Sequence, residues 1–166
     1  MFKNPIVIFV GLTIIIIALA VVFRPANPTE ESQQSAVLSS PVLASDADSF
    51  DFGSISMANG EVVHEFKVKN ITEKNVKIGK MYTSCMCTTA WFIKGDVSKG
   101  PFGMPGHGYV PPVNEQLGPG EEAAIKIIFD PNAHGPAGIG KIERSIYIES
   151  GDSKPLEMKI SVNVIP

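Results

Sequence analysis

Glu61-Val62-Val63-His64-Glu65-Phe66-Lys67-Val68-Lys69-Asn70 decides the fold, because apolar and polar residues alternate through it with a period of two. That period puts Val62, His64, Phe66 and Val68 on one face and the charged residues on the other, the pattern of a half-buried β-strand. Upstream, Phe50-Asp51-Phe52-Gly53-Ser54-Ile55 repeats the pattern and is closed by Asn59-Gly60, residues that tolerate positive φ and predict a tight connection. Downstream, Val76-Lys77-Ile78-Gly79-Lys80-Met81-Tyr82 runs into Thr83-Ser84-Cys85-Met86-Cys87-Thr88-Thr89. After a long interruption, Leu117-Gly118-Pro119-Gly120 turns into Ala123-Ala124-Ile125-Lys126-Ile127-Ile128-Phe129-Asp130-Pro131. Two more strands follow, Ile142 to Glu149 and Leu156 to Val164, the latter with Leu156, Met158, Ile160, Val162 and Val164 inward.

About seven short strands separated by turns predict an all-β domain, an immunoglobulin-like antiparallel β-sandwich. With 13 Pro and 15 Gly the composition favours turns over long helices, and 166 residues leave room for one domain of ordinary size. A formal charge of -3 without any basic stripe argues against a nucleic-acid partner, since phosphate binding needs clustered Lys and Arg.

Residues 1–24 have a different character. Pro5 to Phe23 carry no charge, and as a helix rising about 1.5 Å per residue they match a bilayer core. This segment predicts one N-terminal transmembrane helix, a single-pass anchor. Lys3 and the free amine precede the run, which orients the C-terminal domain outside the cytoplasm. A cleaved signal peptide is the alternative, because Ala18-Leu19-Ala20 has the small-X-small form of a cleavage site; either reading exports the domain. Residues 25–49, rich in Pro, Ser, Gln, Ala and Asp, read as a flexible linker, and 50–166 as the folded domain.

The motif order Phe-Asp-Phe-Gly-Ser-Ile, Glu-Phe-Lys-Val-Lys-Asn, Ser84-Cys85-Met86-Cys87-Thr88, Gly118-Pro119-Gly120-Glu121 and Ile127-Ile128-Phe129-Asp130-Pro131 resembles a bacterial family of exported domains of unknown function. That family is related to the Hydin, ASPM and SPD-2 (ASH-type) immunoglobulin-like domains and to the major sperm protein fold. The resemblance runs from about residue 50 to the C-terminus and implies the sandwich but no activity. Such sandwiches generally act as protein-interaction modules, so it also implies a protein partner. This chain departs from the family in two places: Cys85-Met86-Cys87 stands where Cys-Gly-Cys is common, and an inserted loop spans about 94–116.

Cys85 and Cys87 are the only cysteines in the chain, and they allow three readings. Thiolates and thioethers favour Cu(I) and imidazole suits copper and zinc, so Cys85, Cys87, Met104 and His107 form a candidate metal set from two loops. Alternatively, Cys85 and Cys87 form a strained, reducible disulfide with a redox role. The plain reading is two thiols, or a bridge, at a strand end. His107 is flanked by glycine and free of core packing, whereas His64 is in phase with a buried face and reads as a packed strand residue. His134 reads as a polar turn residue ahead of a ligand, and Trp91 and Phe92 as core or edge cover.

No Ser-His-Asp order, paired-carboxylate pattern or phosphate loop is present, so turnover without a cofactor is not expected. The sequence therefore points first to a membrane-anchored extracytoplasmic module that binds another protein without catalysis. A Cu(I)-binding or thiol-redox protein is the alternative.

Overall fold

The structure, a computed structural model, describes residues 40–166, and the period-two stretches become eleven strands there. In chain order these are β1 (Leu43–Ser45), β2 (Ser49–Ser56), β3 (Val62–Asn70), β4 (Val76–Ile78), β5 (Lys80–Thr83), β6 (Thr88–Lys94), β7 (Val97–Phe102), β8 (Glu115–Leu117), β9 (Glu122–Phe129), β10 (Gly140–Glu149) and β11 (Leu156–Ile165). One sheet has the order β1-β3-β9-β6-β7, the second β2-β11-β10-β5, and β4 pairs with β8 as a small third sheet. The fold is the all-β sandwich expected. All pairs are antiparallel except β2 with β11, which run parallel, so the sandwich is mixed at that edge.

The core comes from the alternating faces of these strands. Phe66, Phe92, Ile125, Ile127 and Phe129 of the five-stranded sheet and Met81, Ile146, Ile148, Met158 and Ile160 of the four-stranded sheet are buried in one apolar cluster. Each contributes roughly 1.5–3 kcal/mol by leaving water. Asn70 is one of the buried polar residues, with no exposed surface. Its amide lies 2.7, 2.8 and 2.9 Å from the carbonyls of Lys74, Leu117 and Gly118, and its Oδ1 accepts from Thr72 N at 2.9 Å, which knits two turns together. His64 is packed as expected, its ring stacked on Phe50 with centroids 3.6 Å apart.

Three local expectations are corrected. Residues 43–45, assigned to the linker, already form β1, paired with the end of β3, and Leu43 is buried. Asn59-Gly60 makes the tight connection expected, and it leads between sheets. β2 and β3 lie in different sheets, and the 3-10 turn Met57–Asn59 followed by Gly60 at φ 74° carries the chain across. The run 76–82 breaks at Gly79, whose N–H donates to Glu149 O (2.9 Å) and whose carbonyl accepts from Val113 N (2.8 Å), so β4 and β5 part into different sheets.

The 94–116 stretch is also more than a loop. β7 folds back on β6 through Gly95 and Asp96, a two-residue turn with Gly95 at φ 54°, and β8 begins at Glu115. Gly100 lies so close to Ala90 O and Trp91 Cδ2 that a Cβ would stand 2.9 Å from both, so the bare backbone of β7 can run close beside β6 in the sheet.

The apolar segment 1–24, and most of the linker, lie outside the described residues. Among the described residues no helix is long and apolar enough to cross a membrane.

Candidate functional site

The chain passes from the four-stranded to the five-stranded sheet in the turn between β5 and β6, and both cysteines are in that turn. The crossing is held by backbone. Ser84 N–H donates to Ser145 O at 2.9 Å, Thr88 N–H donates to Cys85 O at 3.2 Å, and Asp130 N–H donates to Cys87 O at 2.9 Å. The buried Thr83 hydroxyl donates to Thr88 O at 2.9 Å and lies 3.0 Å from Cys85 O. A hydroxyl with two carbonyls to serve inside the protein is costly to remove, so Thr83 locks the turn.

Within this frame the sulfurs of Cys85 and Cys87 are 3.0 Å apart and both free. That separation is a thiol–thiol contact, well beyond the S–S bond length of about 2.05 Å. Cys87 is buried, whereas Cys85 is half-buried and Met86 between them is exposed. His134 reaches the pair from the turn after β9, with Nε2 at 3.1 Å from Cys85 Sγ. Arg144 of β10 completes the surround by donating from Nε to Cys87 Sγ at 3.2 Å. The ligand-capable atoms of Cys85, Cys87 and His134 all lie within 4.8 Å of one another.

These contacts separate the two thiols. Burial, the largest single influence, pushes the Cys85 thiol up. The hydrogen bonds from the Cys87 side chain and backbone, together with His134 and the charge of Arg144, outweigh it and bring Cys85 down to about 7. Cys87 goes the other way: burial and its hydrogen bond to Cys85 raise it against the pull of Arg144 and Thr88. The cluster thus holds one readily formed thiolate at its mouth and a protonated thiol behind it.

Of the residues singled out from the sequence, the structure brings Cys85 and Cys87 together and adds His134, which had been read as a turn residue. His107 does not join that group. It is exposed, in a turn where its N–H donates to Met104 O at 3.3 Å, and Met104 is half-buried beside it. Their loop is nonetheless tied to the cysteine end, because Thr83 N–H donates to Gly103 O at 3.1 Å. Phe92 is core, and Trp91 is on the outer side of β6. Arg144 was not anticipated.

Solved structures share the architecture. A protein of unknown function from Porphyromonas gingivalis W83 is 15% identical with a TM-score of 0.53, the match covering 74% of this chain and 46% of that one. A family 123 glycoside hydrolase from Clostridium perfringens is 8% identical with a TM-score of 0.53, covering 75% of this chain and 27% of the hydrolase. The ASH/PapD-like domain 7 of human CEP192 is 12% identical with a TM-score of 0.44, covering 75% and 85%. This chain spans less than half of the first two proteins, and at these identities the likeness to those two is one of fold. No curated protein sequence matches the chain. Residues 43–103, a span that includes both cysteines, match the family model described as protein of unknown function DUF1573, which bears out the resemblance drawn from the Ser84-Cys85-Met86-Cys87-Thr88 motif.

Proposed function

We propose that the domain is held outside the cytoplasm by its N-terminal apolar segment and that its working centre is the Cys85–Cys87–His134 cluster, which binds Cu(I). The observation that carries this reading is the convergence of two free thiols and one imidazole, from two separate turns, at one end of the sandwich. Two sulfurs and one ring nitrogen form a soft donor set, and soft thiolate ligation favours Cu(I) over harder ions. With donor bonds of about 2.0–2.3 Å, two sulfurs sharing one ion stand roughly 3.7–4 Å apart. Cys85 and Cys87 therefore have to part by somewhat less than about 1 Å, a side-chain adjustment that the exposed mouth of the turn allows.

Anaerobic titration of Leu38–Pro166, the compact unit that contains the whole core, against a calibrated Cu(I) chelator tests the proposal. One Cu(I) per chain is expected. Cys85→Ser with Cys87→Ser abolishes it, and His134→Ala weakens it at least tenfold. Stoichiometric binding that survives the double serine variant contradicts the reading.

Protein interaction, the first expectation from the sequence, is the second reading here, favoured by one observation. The two sheets end on β1 and β7 and on β2 and β5, each with one side unpaired by any strand among the described residues, and an open edge can accept an extended segment of another chain. Recovery of such a partner does not require the sulfurs, so the double serine variant separates the two readings.

A further inference from the structure

The cysteine pair has a cation against it that contributes no ligand atom. Arg144 occupies an inward position of β10, in phase with Ile146 and Ile148, both fully buried. An apolar residue there would continue the core. Instead the guanidinium reaches the end of the sandwich, where Nε donates to Cys87 Sγ at 3.2 Å and Nη1 donates to Glu143 O at 2.8 Å. The four ion pairs of the described residues do not include it. A half-buried arginine without a carboxylate, pointed at a sulfur, needs a negative charge to balance it.

We infer that Arg144 sets the charge of the ion the cluster accepts, selecting monovalent Cu(I) over divalent Zn(II). This rests on the metal-binding reading above. A thiol that coordinates a metal is deprotonated outright, so the loaded cluster carries two thiolates. With Cu(I) the sum is two negative charges and one positive, and the always-protonated Arg144 brings the site to neutrality. With Zn(II) the thiolates and the ion already cancel, and Arg144 leaves an excess positive charge in a partly buried place. Coordination number acts in the same direction, since Zn(II) wants four ligands and the cluster supplies three, while Cu(I) is content with two or three.

The test compares Cu(I) and Zn(II) affinities of Leu38–Pro166 with those of Arg144→Leu and Arg144→Lys. Leucine removes the charge and adds no donor atom; lysine keeps the charge. Circular dichroism and thermal melts establish that each variant is folded. In Arg144→Leu the Cu(I) affinity is expected to fall about tenfold or more while Zn(II) binding holds or improves, and Arg144→Lys recovers most of the preference. A purely structural arginine would weaken both ions alike. If the wild type takes up Cu(I) but Arg144→Leu leaves the Cu(I):Zn(II) ratio unchanged, the charge-selection role is overturned and the metal site stands. If the wild type takes up no Cu(I), both are overturned.

Discussion

Cys85 and Cys87 are separated by one residue and do not differ in type, yet their surroundings assign them opposite tendencies. Cys85 is at the mouth, where His134, Arg144 and Cys87 favour its thiolate, and Cys87 is behind it, raised by burial. The consequence is measurable in the reduced, metal-free protein. The rate of Cys85 alkylation follows its thiolate fraction, so it rises with pH through a midpoint of about 7 and levels off above it, where an ordinary thiol is still climbing toward its midpoint near ~8.5. In His134→Ala the midpoint moves upward, because one of the contacts that favour the thiolate is gone. Mass-spectrometric rates across pH 5–10 check both statements, and a wild-type midpoint at the ordinary value contradicts this account of the cluster. The two sulfurs were legible in the sequence because cysteine is scarce and the spacing is short. His134 was legible only in hindsight. It is 47 residues beyond Cys87, and its place beside the sulfurs follows from Thr88 pairing with Phe129, which brings the end of β9 next to the start of β6. Arg144 was hidden by its type, since an arginine in a strand is ordinarily taken to face water.

Strand by strand, alternation was a good guide where one face meets water. β3, β9 and β11 read correctly because their outward residues are charged or polar often enough to show the period. β6 did not, because both its faces are apolar: Thr88, Ala90 and Phe92 point in, while Trp91 and Ile93 lie on the outer side, so the period is masked. β1 and β8 have three residues each, too few for any period to declare itself. β1 matters out of proportion to its length. It covers the edge of β3 through the Leu43–Asn70 register, and Leu43 is buried in the core cluster. Leu43→Ala is therefore expected to cost about 2–5 kcal/mol in urea unfolding, the range for a buried leucine truncated to alanine. A cost near zero would return residues 43–45 to the linker.

At the scale of the whole molecule, the site exists because the two sheets share an end. β5 belongs to one sheet and β6 to the other, and the turn that joins them carries both cysteines. β9 sends its following turn to the same end with His134, and β10 presents Arg144 from the opposite layer. No single element carries the constellation, which is why no local motif in the sequence announced it beyond the cysteines. The sandwich acts as a rigid frame for a cluster on connections, a common division of labour between scaffold and loop. In the extracytoplasmic setting proposed above, free thiols last only if reduced or occupied. X-ray absorption at the copper edge of the Cu(I)-loaded protein tests the central claim most directly. The account predicts two sulfur neighbours and one nitrogen, with the nitrogen lost in His134→Ala and no copper retained when Cys85 and Cys87 are serine. A copper environment of nitrogen and oxygen alone, or one unchanged by these substitutions, would contradict it.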